Sequence, residues 1–233
     1  QQAGLMLAGT REAFVRRRTQ LSNTIRSYAA EFGLVSSRGL DKIEPLLARI
    51  AADDDLPTLA KEMFADLGED YALLQKRLEI IERKLRLWHR NDEQSRRLAE
   101  IPGVGVVGAA LLAMKVPDPK AFRSGRDFAA WLGLTPKDHS TAGKQRLGVI
   151  TRAGDETLRS VLVVGATALL RQVRLGRSHH SRWLADLLRR KPPKLVAVAL
   201  ANKTARIAWK LMVSGESYDR TRVGIAAREA APA

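Results

Sequence analysis

Residues 98–112, LAEIPGVGVVGAALL, put Pro102 and Gly103 between two helical patterns and follow them with Gly105, Gly108, Ala109 and Ala110. A Pro-Gly step punctuates helices because proline lacks an amide donor and glycine tolerates left-handed backbone. The stretch therefore reads as two helices joined by the tight turn Ile101-Pro102-Gly103-Val104-Gly105, with small residues that let the helices approach closely. That is the pattern of a helix-hairpin-helix motif. Its second helix would begin with free backbone N–H groups able to hold a phosphate, and such contacts read backbone rather than base sequence. The competing reading is a turn between two core helices with no ligand.

Upstream, Phe14, Leu21, Ile25, Tyr28 and Phe32 recur at steps built from threes and fours, which predicts a helix over 10–32 that Gly33 ends as its C′ residue. Residues 40–50 carry a short amphipathic pattern. Asp53-Asp54-Asp55-Leu56-Pro57 reads as a turn, and its three aspartates suit a solvated cap better than a metal site. Leu67, Tyr71, Leu74, Leu78, Ile81, Leu85 and Trp88 then alternate steps of four and three, a heptad stripe of about three repeats. The simplest arrangement is an antiparallel helical arm, although the same seam would serve equally as a dimerisation coiled coil.

Downstream, VPDPK at 116–120 reads as a loop and SGRDFAAWLGL at 124–134 as a short helix capped by Ser124 or by the turn itself, with Trp131, Leu132 and Leu134 assigned to the core. Asp155 follows Gly154 as an N-cap, a better account of Asp155 and Glu156 than a catalytic carboxylate pair. Helices are expected over 156–173 and 194–212. The first ends in Arg171, Arg174 and Arg177, a basic ladder on one face, and the second carries Asn202, Lys203, Arg206 and Lys210. His179 and His180 are adjacent, so on a helix they diverge, which suits surface or phosphate contact rather than chelation of one metal. From Glu216 onward no core pattern remains, and the tail is expected to fray. The fold class expected is all-α: a helical (coiled-coil) arm, followed by a compact helical domain containing the helix-hairpin-helix.

The chemistry concentrates in 130–159, AWLGLTPKDHSTAGKQRLGVITRAGDETLR. Ser140 and Thr141 precede Ala142 and Gly143, so little bulk surrounds the hydroxyls and a large anion could approach the backbone. Lys137, Lys144, Arg146 and Arg152 supply the positive field. On the residues alone, such a segment is a turn or phosphate-binding element before it is a catalytic one.

Composition supports an anionic partner. Lys and Arg number 40 against 25 Asp and Glu, a formal charge of +15, and 16 basic but only 4 acidic residues fall between positions 137 and 210. Nucleic acid is the leading partner, and the two basic stripes favour a groove for it. A membrane is not expected, because no run of about 18 apolar residues occurs. The hydrophobic content of 45% is enough for a buried core, and the absence of cysteine excludes disulfides and thiolate metal sites. No secretion signal is expected, and a start at Gln1 suggests that more chain precedes it.

The succession QQAGLML, TREAFVRRRTQLSNTIRSYAAEFGL, the helical arm, IPGVG, the 130–159 stretch and ALANKTARIAWKLM resembles the insertion-sequence transposases of the IS-one-ten family, also called Piv/MooV or DEDD transposases. The likeness covers nearly the whole chain, and its core motif, WLGLxPxxHSTxGKxRLGxIT, is long and specific. It implies an N-terminal RuvC-like domain with four acidic metal ligands, then a coiled-coil arm, then a C-terminal domain with a catalytic serine. On that plan residues 1–33 are the last helix of the RuvC-like domain, 34–95 the arm, 96–215 the transposase domain and 216–233 a flexible tail. The acidic quartet and its Mg2+ would lie upstream, so these residues themselves are expected to hold no metal or other cofactor and to bind nucleic acid with little or no cleavage.

The implied catalytic residue is Ser140, attacking a DNA phosphodiester to give a phosphoserine link. The residues expected to contact DNA or its phosphates are Gly103, Gly105, Lys137, Thr141, Gly143, Lys144, Arg146, Arg152, Arg171, Arg174, Lys203 and Arg206. A serine hydroxyl needs activation, and His139, the one base in evidence nearby, is poorly placed by its adjacency. Thr141 is the weaker nucleophile because its β-branch crowds attack. The resemblance further implies a noncoding bridge RNA, a homo-oligomer that completes its active sites between protomers, and a cytoplasmic, nucleoid-associated setting in a bacterium.

Overall fold

A computed structural model describes residues 2–141, 143–144, 146–176 and 181–219. They form nine α-helices and one two-stranded antiparallel sheet. The chain divides into two compact units at Leu85/Arg86, within the helix α3 (Thr58–Asn91).

In the first unit, α1 (Gln2–Glu31) starts earlier than its periodicity predicts, because its first turns bury only Gly4 and Ala8, which give no apolar signal. Gly33 ends it as expected: at φ 76° it donates its N–H to Ala30 C=O, and Leu34 N–H returns to Ala29 C=O. Tyr28 and Phe32, part of the periodicity that predicts the helix, are about half exposed. Arg11 Nη2 donates to Glu82 Oε1 at 3.1 Å, Arg18 Nη1 donates to Gln75 Oε1 at 3.0 Å, and Phe32 packs edge-on to Phe64. Partner numbers fall along α3 as they rise along α1, so the two helices run antiparallel. The heptad seam is thus filled within the chain, burying Phe64, Tyr71, Leu78, Ile81 and Leu85. Between them α2 (Ile43–Ala51) drops Ile43, Leu46 and Ile50 against Ile25 and Ala29, each large side chain stabilising the unit by roughly 1.5–3 kcal/mol. Tyr71 closes this core by donating its hydroxyl to Leu40 C=O at 3.2 Å. The aspartates at 53–55 form a turn, with Asp55 N–H donating to Asp53 Oδ1.

The second unit contains α4 (Glu93–Ala99), α5 (Val106–Lys115), α6 (Gly125–Trp131), α7 (Glu156–Arg174), α8 (Arg182–Arg190) and α9 (Pro193–Ser214). Helix α9 is its centre, packing on α4, α6, α7 and α8 through a seam rich in alanine: Ala197, Ala201, Ala205 and Ala208 are all buried. The expected caps are present: Asp127 N–H donates to Ser124 Oγ and Leu158 N–H donates to Asp155 Oδ1. Asp155 also pairs with Lys115 at 2.8 Å, tying α7 to the end of α5. Leu132 and Leu134 are in the core, but Trp131 keeps 38% of its surface exposed while stacking with Phe128 and packing at a tilt against Phe122.

Two features depart from the sequence reading. The hydroxyl segment is not an open loop: β1 (Pro136–Asp138) and β2 (Leu147–Ile150) pair antiparallel, with a bulge between Pro136 and Asp138. Short strands exposed on nearly every residue carry no hydrophobic alternation, which is why the pattern does not announce them. Helix α8 also escapes the sequence reading, although Ser181 caps it by accepting from Leu184 N–H. Arg177, His179 and His180 lie outside the described residues, as does the tail from 220 onward.

Candidate nucleic-acid interface

The α4–α5 turn is built on backbone packing. Gly103 adopts φ 87°, and its missing side chain lets its main chain lie on α7, where a Cβ on Gly165 would sit 1.9 Å from Gly103 O. A Cβ on Gly108 would likewise meet Val161 at 2.8 Å. Glycines at 103, 108 and 165 therefore bring α5 and its turn flush against α7. Gly105 remains exposed at the start of α5, where no side chain caps the helix.

The hairpin is fixed at its base by similar contacts. Gly154 and Gly133, both at φ 69°, pack main chain to main chain, a Cβ on Gly154 falling 1.8 Å from Trp131 O and one on Gly133 falling 2.4 Å from Ala153 N and O. Arg159 donates from Nη1 to Leu132 C=O and Ala153 C=O, clamping the segment entering α7 to the one leaving α6. Arg152, between β2 and α7, has φ 58°, the only positive φ outside glycine among the described residues.

At the exposed tip, Lys144 N–H donates to Thr141 C=O at 3.0 Å, with Gly143 at φ 78° supplying the left-handed turn position. Ser140 N–H donates to Asp138 Oδ1 at 2.8 Å, and Ser140 Oγ accepts from Arg146 N–H at 3.0 Å. Hydrogen bonds from the Ser140 side chain and backbone, aided by His139, hold the Asp138 carboxyl below the usual carboxylate range. Asp138 is thus the partner of Ser140 that the sequence reading missed. The signal was present: an Asp two residues before a serine is the spacing of an Asx turn. His139 turns its ring over Gly148 instead.

Lys137, Ser140, Thr141, Gly143, Lys144 and Arg146 are all exposed on this hairpin. Arg152, Lys203 and Arg206 come together elsewhere, on the walls of an open groove of about 1740 Å³ between β2, α8 and α9. Arg171 and Arg174 are exposed on the last turn of α7 and do not line that groove. No group of three or more His, Asp or Glu side chains gathers among the described residues, and none of their helices is long and apolar enough to cross a membrane.

A helical unit presenting a hydroxyl turn on a two-stranded hairpin among cations matches a known class: residues 95–181 match the model of the transposase IS116/IS110/IS902 family. The chain belongs to that family. It is 67% identical over 219 residues to a putative transposase, y4pF/y4sB, of Sinorhizobium fredii, covering 94% of this chain and 57% of that protein. It is 41% identical to a probable family 20 transposase of Pseudomonas aeruginosa, over 94% of this chain and 65% of that protein. It is 36% identical to the transposase for insertion sequence element IS1328 of Yersinia enterocolitica, over 94% and 66%. The chain therefore spans about three fifths of the length of these curated relatives.

Proposed function

We propose that this chain is the part of a DNA transposase that grips DNA and carries the nucleophile for strand cleavage and exchange, and that Ser140 is that nucleophile. The observation that carries the reading is the hairpin tip, where an exposed hydroxyl accepts from the Arg146 amide and the serine backbone N–H donates to Asp138, among Lys137, Lys144 and Arg146. Thr141 and Gly143 shape the turn beside it.

In the proposed step a P–Oγ bond forms and the P–O bond to one neighbouring sugar breaks. The Ser140 proton leaves by way of the Asp138 carboxylate to water, and the departing sugar oxygen takes a proton from water. The reverse attack by a strand end on the phosphoserine completes exchange. Asp138 is ionised at neutral pH, so it orients the hydroxyl as an acceptor and is only a weak base. The cations offset the charge that accumulates on the phosphoryl oxygens.

Gly105 and the free amides at the start of α5 hold DNA phosphates in this reading, with Gly103 fixing their position. Lys203, Arg206 and Arg152 track a strand along the groove, and Arg171 and Arg174 form a separate phosphate-contacting patch. The Mg2+ expected of the family does not fit the carboxylates described, which do not cluster, so no step is routed through it. A metal-binding domain upstream, a bridge RNA, a homo-oligomer and a cytoplasmic setting on the nucleoid belong to the same proposal. The test is covalent capture with the complete transposase on nicked DNA. A denaturant-stable DNA adduct that Ser140→Ala abolishes is the expected result; an adduct that persists in Ser140→Ala excludes this nucleophile, and no adduct with either protein leaves a noncatalytic nucleic-acid-binding module.

A further inference from the structure

The groove behind the hairpin has two properties that a surface for duplex phosphates alone does not require. First, its floor is apolar: Leu147 and Val149 are 55% and 69% exposed on β2 and face the same groove as Trp183 of α8, itself 38% exposed. Second, cations border that floor. Lys203 sets its Nζ 4.4 Å from the Trp183 ring centroid, and Arg206 lies one turn further along α9. Burial, then the neighbouring Arg206 charge, hold the Lys203 ammonium below the usual lysine range, so an arriving phosphate would relieve it. Arg152 joins them from the hairpin side, its backbone held at φ 58° with its N–H donating to Gly133 C=O. Glu216 also lines the groove, but it pairs with Lys210 at 3.6 Å.

An apolar floor with an aromatic plate and a cationic rim complements an extended strand whose bases are unpaired: bases stack, phosphates pair. A duplex buries its bases and cannot use the floor. An acidic peptide would satisfy the rim, but its carboxylates leave the apolar floor and the indole without a partner.

We infer that this groove is a binding site for unpaired nucleic acid, in which a base stacks on Trp183 while Lys203, Arg206 and Arg152 hold the flanking phosphates. The inference rests on the nucleic-acid reading above and gives Trp183, absent from every expectation drawn from the sequence, the role of distinguishing single strands from duplex.

The test is equilibrium binding of the 233-residue chain to fluorescein-labelled oligonucleotides of one length, as single-stranded DNA, single-stranded RNA and DNA duplex, at a fixed salt concentration. Either single strand is expected to bind more tightly than duplex, and the tighter of the two identifies the occupant as a DNA strand or an RNA. Trp183→Ala should weaken single-strand binding by about 5- to 150-fold while leaving duplex binding unchanged, and Trp183→Phe should restore most of it. Equal affinity for single strand and duplex in the wild type, or parallel losses for both in Trp183→Ala and Trp183→Phe, overturns the inference. No strand is cut in this assay, so its failure leaves the Ser140 chemistry standing, and a missing Ser140 adduct leaves this site standing.

Discussion

The turn where α5 meets α7 and the hairpin carrying Ser140 are both built around glycine, yet they use it in opposite ways. At the first, Gly103 and Gly165 remove side chains so that two backbones can touch inside a packed unit. At the second, Gly143 has nothing within 4 Å of where a Cβ would lie and serves only to turn an exposed chain. The difference shows how this unit is built: crowded backbone contacts at Gly103, Gly165, Gly133 and Gly154 make a rigid base, and the hydroxyls and cations of the hairpin tip stand off it in solvent, where a macromolecule can reach them.

The largest expected effect breaks the crowded side of that contrast. Gly165→Ala should destabilise the protein by about 3 kcal/mol, because its Cβ overlaps Gly103 O and both are main chain that cannot rotate away. Ser140→Ala should change stability by less than about 0.5 kcal/mol, as an exposed site does. Chemical denaturation of the two variants measures both, and equal losses would mean that the hairpin is as structural as the helix crossing.

A smaller effect tests how the hairpin's exit is anchored. Asp155→Ala removes the cap on Leu158 N–H and the partner of Lys115 together, and should cost about 1–2 kcal/mol, seen as a lowering of Tm of roughly 2–4 °C per kcal/mol. No change in Tm would show that the Gly133–Gly154 contact alone holds α7 in place.

The smallest effect sharpens the solvent side. The Asp138 pKa is lowered in the fold, so its bonds to Ser140 are fully present above the ordinary aspartate pKa and are lost as pH falls through the lowered folded value. Two-dimensional NMR should show the Ser140 amide shift titrating with Asp138 in acid, below the usual carboxylate range, while amides of α9 stay unchanged. A titration at the ordinary aspartate position would show that the Asx turn does not form in solution.

Sequence reading and structure diverge for reasons visible in particular residues. Ser124, Asp155 and Gly33 were legible as helix ends because capping is a local matter of one side chain and the next turn. Residues 136–150 were not legible as strands, because their pairing is satisfied by backbone bonds and leaves no apolar alternation. Asp138 is not evident beside Ser140 as its partner, because a base expected to activate a hydroxyl points to histidine, whereas the hydrogen bond formed is an Asx turn made by the serine backbone. By composition Arg171 and Arg174 are companions of Lys203 and Arg206, but only the latter pair lines the groove, a matter of how α7 and α9 pack.

By itself, the sequence determined the helical periods, the Pro-Gly turn, the caps and the family, since each depends on residues near one another in the chain or on a motif read in order. The tertiary structure alone decided that the heptad seam closes within the arm, that Gly103 meets Gly165, and that Arg152, Trp183 and Lys203 face one groove. Those outcomes depend on which distant surfaces fit together when packed, and no local pattern encodes that fit.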